Sequence, residues 1–129
     1  MTTKYFAGDV PSQARENEYF RQVLFTTDRS QLVLMSVEPE GEIGEEVHED
    51  VDQVLVIVDG TGEAILDAES VAIGPGSVVV VPAGTRHNFV ASSGASLKLY
   101  TVYTPPEHAP GTVHKTKAEA DAAELEHHH

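Results

Sequence analysis

Short apolar runs, separated at regular intervals by turn-forming residues, fill most of this chain and restrict its fold more than any other feature. Runs rich in Val, Leu, Ile and Tyr fall at Phe20 to Thr26, Gln31 to Val37, Gln53 to Val58, Gly62 to Leu66, Ser70 to Ile73, Ser77 to Pro82, His87 to Ala91 and Leu97 to Tyr103. The breaks carry turn chemistry: Asp28-Arg29-Ser30, Glu40-Gly41-Glu42, Asp59-Gly60-Thr61-Gly62, Gly74-Pro75-Gly76, Pro82-Ala83-Gly84 and Ser92-Ser93-Gly94. Strands this short and this evenly spaced point to an all-β barrel or sandwich. After Tyr103 the character changes. Thr104-Pro105-Pro106-Glu107-His108-Ala109-Pro110 reads as an extended strap, followed by a capping box at Thr116 and Glu119 that opens a short helix over Ala118 to Ala123. The strap and helix, residues 104–124, read as a terminal appendage to a barrel core over 20–103. Leu125-Glu126-His127-His128-His129 has the form of a purification-tag remnant, so residues 1–124 are expected to make one domain.

Composition narrows the function classes. With no cysteine the chain has no disulfide, no iron–sulfur cluster and no thiol nucleophile, so its core must hold it together. A net charge of −13 disfavours nucleic acid and anionic membranes as partners. No window approaches the roughly 18 apolar residues of a membrane span, and the first eight residues lack an apolar stretch of signal-peptide length. A cytoplasmic location is the expectation.

Four polar residues stand out by position. Glu46 and His48 are two apart, so in an extended segment they face the same way and one metal ion could meet both. Gln53 alternates with Leu55 and Ile57; if that face is inward, a buried amide needs a partner, and a metal would be one. His87 follows Pro82-Ala83-Gly84-Thr85-Arg86 and shares its side with Phe89 and Ala91. Each has an ordinary reading too. Glu46 sits among Glu45, Glu49, Asp50 and Asp52, where a glutamate is usually solvated, and a lone histidine on an apolar strand is usually a packed one.

Gly76-Ser77-Val78-Val79-Val80-Val81-Pro82-Ala83-Gly84-Thr85-Arg86-His87 resembles the second cupin motif, G-x5-P-x-G-x2-H, at every fixed position; the motif's trailing Asn is Ala91 here. Pro82 and Gly84 make the tight turn that delivers His87. The first cupin motif is present in altered form, with its register set by Gly60. Counting back puts Gln53 at the family's glutamate, His48 at its second histidine and Glu46 at its first; the initial glycine falls on Glu40, and Gly41 misses by one. The resemblance covers about Gln31 to Tyr103 and implies a cupin-type double-stranded β-helix, a jelly-roll barrel.

The resemblance also implies a metal set of Glu46, His48, Gln53 and His87. Two histidines and one carboxylate match the ligand content of the facial triad that holds iron(II), and the amide would be a fourth donor. Fe, Mn, Ni, Co or Zn would each suit such donors. A small metal-dependent cupin enzyme acting on a small oxygenated metabolite, as isomerase, lyase or oxygenase, is one expectation. A non-catalytic small-molecule-binding or sensor cupin is the alternative, and a purely structural association is a third. The last strand, Ser96 to Tyr103, holds no Asp or Glu to serve as base. Tyr103 and Thr101, which share a face there, could offer a hydroxyl, although barrel packing is their ordinary role. His108 and His114 could act only if the strap folds over the barrel mouth; otherwise they are solvated. A homodimer, as cupins commonly form, and a small-molecule ligand are the expected partners.

Overall fold

The computed structural model describes residues 5–127; His128 and His129 of the tag-like terminus lie outside the described residues. In chain order the elements are α1 (Val10–Glu16), β1 (Arg21–Thr26), β2 (Gln31–Val37), β3 (Glu46–Val47), β4 (Asp52–Asp59), β5 (Gly62–Leu66), β6 (Glu69–Ile73), β7 (Val78–Val81), β8 (Arg86–Ala91), β9 (Leu97–Thr104), β10 (Val113–His114) and α2 (Lys117–His127). The strands form two antiparallel sheets, β10-β1-β2-β9-β4-β7 and β3-β8-β5-β6, the jelly-roll arrangement expected. All eight runs read from the sequence become strands. The run at Ser77 to Pro82 shortens at both ends because its terminal residues serve turns: Ser77 Oγ accepts from Gly74 N at 3.0 Å and Pro82 O from Thr85 N at 3.1 Å.

Alternation along the strands fills the space between the sheets. Val33, Met35 and Val37 of β2, Leu55 and Ile57 of β4, Phe89 of β8 and Leu97 and Leu99 of β9 are all buried in one cluster. Each large apolar side chain contributes about 1.5–3 kcal/mol by leaving water. The same inward faces carry four polar residues toward one end of the barrel: Gln31, Gln53, His87 and Thr101, all buried. The alternation of β4 therefore settles which way Gln53 points: inward, with Leu55 and Ile57.

Backbone geometry explains the motif positions. Gly60 has φ +80° and a Cβ there would sit 2.2 Å from Ser96 O, so both conformation and space demand glycine. Glu40, where the first motif has its initial glycine, adopts φ +65°. That left-handed conformation favours glycine, so a glutamate there is strained.

Three elements were not foreseen. β3 and β10 are two residues each, too short to show a period. α1 is capped by Asp9, whose side chain accepts from Ser12 N at 3.2 Å, with a proline in the first turn. It packs against β9, β2 and β4 through the buried Ala14. The C-terminal helix runs longer than Ala118 to Ala123, and half of the capping box forms: Thr116 Oγ1 accepts from Glu119 N, while Glu119 Oε1 reaches one residue further back than the box requires, to Lys115 N. Among the described residues no helix is long and apolar enough to cross a membrane.

Candidate metal centre and ligand cavity

The two motif segments are stitched together by their backbones. Gly84 N donates to His48 O at 2.8 Å, Ala83 N donates to Asp52 Oδ1 at 2.8 Å, and Glu46 lies directly opposite His87 where β3 pairs with β8. These bonds bring the four sequence-selected donors to one end of the barrel. The His48 and His87 rings stand 5.2 Å apart. Glu46 Oε2 lies 3.6 Å from His48 Nε2, as the two-residue spacing implied. Gln53 lies opposite Tyr103 in the β4–β9 ladder, and the Tyr103 ring meets His48 edge-on at 6.0 Å.

Hydrogen bonds fix how three of these side chains present themselves. His87 Nδ1 is 2.9 Å from Thr85 O; a carbonyl only accepts, so Nδ1 carries the proton and Nε2 keeps its lone pair, the arrangement usual for a metal-binding imidazole. Gln53 Nε2 donates to Thr101 Oγ1 at 3.1 Å, and Thr101 donates onward to Val54 O at 2.8 Å. That chain orients the amide. Gln53 is 4% exposed and its Oε1 has no hydrogen-bond partner. Thr101, fully buried, is thereby committed to holding Gln53.

Two corrections concern the segment after β9, read as an appendage with solvated histidines. It closes over the barrel mouth. Gln31, 1% exposed, pins it with all its polar capacity: Nε2 donates to Thr26 Oγ1 and to His108 O, and Oε1 accepts from Glu107 N and His108 N. His108 is half-buried and meets the Tyr103 ring edge-on at 5.2 Å. His114, also half-buried, lies opposite Arg21 in the β1–β10 pair, and its Nδ1 accepts from Arg21 Nη1 at 3.1 Å. Burial, and then the charge of Arg21, lower its pKa.

The strap also delivers an acid. Glu107 Oε2 lies 3.4 Å from His48 Nδ1, so the ring of His48 is flanked by a carboxylate at each nitrogen. Burial raises the Glu107 pKa, opposed by His48 and reinforced by Glu46. Tyr103 is 3% exposed; burial pushes its phenol far above the usual range, partly offset by the charge of the neighbouring Arg21 guanidinium. Arg21, Glu107 and Gln31 escaped the sequence reading. Gln31 had the same signal as Gln53, a polar residue alternating with apolar ones on a strand, and Arg21 precedes Val23 in the same way.

A cavity of about 390 Å³ opens beside these groups, lined by residues including Arg21, Glu46, Glu107, His108, His114 and Glu124. Of the four metal candidates only Glu46 lines it. Among the described residues no three His, Asp or Glu side chains converge tightly enough to hold an ion as they stand. The fit of the donor set to a metal therefore rests on chemistry: an orphaned, oriented amide oxygen, a lone pair held free on His87, and a histidine with Glu46 beside its Nε2.

Comparison with known proteins agrees with the geometry. A family model described as "Cupin domain" matches residues 33–103. The chain is 39% identical over 127 residues to the uncharacterized protein YrkC of Bacillus subtilis (strain 168), covering 94% of this chain and 68% of that protein. It is 40% identical over 110 residues to the uncharacterized protein L612 of Acanthamoeba polyphaga mimivirus, covering 81% and 68%. The crystal structure of BH2720 from Bacillus halodurans superposes with TM-score 0.89 at 35% identity, covering 91% of this chain and 93% of that one. That of KdgF from Halomonas sp. superposes with TM-score 0.63 at 26% identity, covering 67% and 78%.

Proposed function

The chain belongs to the cupin family, and from that premise we propose that it is a metal-dependent enzyme acting on a small oxygenated metabolite. Glu46, His48, Gln53 and His87 would hold a divalent ion of the Fe, Mn, Co, Ni or Zn kind. One observation carries this reading: the Gln53 oxygen, dry and without a partner, on an amide that Thr101 holds in place. A buried unsatisfied carbonyl costs about 1–3 kcal/mol, and a cation satisfies it. Random loss of a ligand would more readily leave an apolar residue than the two oxygen donors found at the altered positions.

When bound, the ion supplies Lewis-acid polarisation of a substrate oxygen. The chain's own residues do the rest. Thr85 O keeps the His87 proton on Nδ1. Glu107 supplies at the mouth the carboxylate that β9 lacks, within reach of both the cavity and His48. Gln31 holds the strap that carries Glu107, and the strap and α2 both contribute residues to the cavity wall.

A second reading, a binding or sensor barrel without catalysis, is favoured by one feature: Glu46 and Glu107 both approach His48, and among the described residues no three donors already converge. Elemental analysis separates the two. It is made on the chain with His127→Ala, His128→Ala and His129→Ala, so that the terminal histidines do not contribute metal. Near-stoichiometric metal that disappears on adding His48→Ala and His87→Ala supports the metalloenzyme. A metal-free protein that also takes up none of Fe, Mn, Co, Ni or Zn leaves the binding barrel.

A further inference from the structure

Arg21 is 7% exposed, yet among the described residues no carboxylate lies within ion-pair distance of it. Its side-chain hydrogen-bond partner is neutral: His114 Nδ1 at 3.1 Å. A guanidinium has five donors in a planar fork, and here Nε is buried without a partner. The Phe20 ring, 5.3 Å from the guanidinium carbon, covers part of it. A buried charge this poorly matched is costly unless something completes it. Arg21 also lines the 390 Å³ cavity and is the one lysine or arginine among the described residues that does so.

We propose that Arg21 is the anchor for a carboxylate on the small molecule that occupies this cavity, which makes the ligand a small monocarboxylate. The planar fork of arginine suits a carboxylate, and the histidine that holds Arg21 carries no charge to oppose its own. Monoanion is favoured over dianion by the remaining charges. Glu46, Glu107 and Glu124 line the same cavity, so negative charge on a ligand is opposed there and a phosphate dianion is opposed more than a monocarboxylate. The inference thus deepens the metalloenzyme reading and rests on its cavity.

The test is calorimetric titration of the full chain, carrying His127→Ala, His128→Ala and His129→Ala, in ion-free and Mn(II)-loaded forms. Glycolate, pyruvate and gluconate are the probes, with inorganic phosphate and glycerol for comparison. Each is repeated in Arg21→Gln and Arg21→Lys, with thermal melts to confirm folding; if Arg21→Gln does not fold, Arg21→Lys, which keeps the charge and loses the fork, carries the comparison. The expected result is that at least one carboxylate binds more tightly than phosphate or glycerol. Its affinity falls about 10- to 100-fold in Arg21→Gln and less in Arg21→Lys, the size of a charge-assisted hydrogen bond. Mn(II) uptake unchanged with carboxylate affinity equal in the variants overturns the role of Arg21 and leaves the ion. Arg21-dependent carboxylate binding without Mn(II) uptake overturns the ion and leaves Arg21. Failure of every carboxylate to bind either form, or tighter binding of phosphate, overturns the inference.

Discussion

Replacing Gln53 by leucine removes the buried amide at nearly constant volume, and the structure allows both sides of the balance to be estimated. The loss is the hydrogen bond from Gln53 Nε2 to Thr101 Oγ1, about 0.5–1.5 kcal/mol. Thr101 is not orphaned, because its own proton goes to Val54 O. The gain is relief of the unpartnered Oε1, about 1–3 kcal/mol. With chelator present, Gln53→Leu should therefore stabilise the protein by about 1 kcal/mol, or about 3–5 °C in Tm for a chain of this size. With an ion at 100 times its Kd the order reverses, since the parent gains about 2.7 kcal/mol by binding and the variant gains less. Urea unfolding with and without chelator reads both numbers. A loss of more than about 1 kcal/mol in the chelated Gln53→Leu protein would refute the reasoning, because it would mean that Oε1 already has a partner.

Other expectations follow from the same structure. Glu40→Gly removes the strain of a positive φ and should be neutral or stabilise by up to about 1 kcal/mol, read by the urea midpoint; a clear destabilisation contradicts the left-handed assignment. Gln31→Leu removes the acceptor of the part-buried amides of Glu107 and His108; it should cost about 1–3 kcal/mol and speed hydrogen exchange at those two amides first, whereas uniform change across the barrel would argue against a pinned strap. His114 has a pKa below its ordinary 6.5 in the folded state, so its contribution to stability is full above pH 6.5 and is lost as pH falls toward the lower folded value. His114→Gln should accordingly flatten the fall in Tm on acidification below that pH, and an unchanged slope would remove His114 from the account.

The parts of this fold that were legible in the sequence are those with local causes. Turn residues bounded the eight main strands, and the resemblance to the two cupin motifs, with its register set by Gly60 and Gly76, singled out His48, Gln53 and His87. The Thr116 cap on Glu119 N likewise works within one turn of helix. What escaped depends on distant partners. Whether the strap lies on the barrel or in water is decided by Gln31, more than seventy residues earlier, whose amide matches two backbone amides and a carbonyl of the strap. Glu107 became part of the site for that reason alone. Arg21 and His114 meet only because β10 exists, and two residues opposite β1 leave no period to read. α1 is different: Asp9, Pro11 and Ser12 are a start signal visible in the sequence.

The most direct test of the central claim, that the Gln53 oxygen completes a metal centre, is an anomalous-scattering map from crystals of the chain loaded with Mn(II), Co(II) or Zn(II). The account predicts one strong peak at the barrel end, bonded at about 2.0–2.2 Å to Gln53 Oε1, His87 Nε2, His48 Nε2 and a Glu46 oxygen. A peak located only at the chain terminus or on the surface, with the Gln53 oxygen still unbonded or satisfied by water, would contradict it.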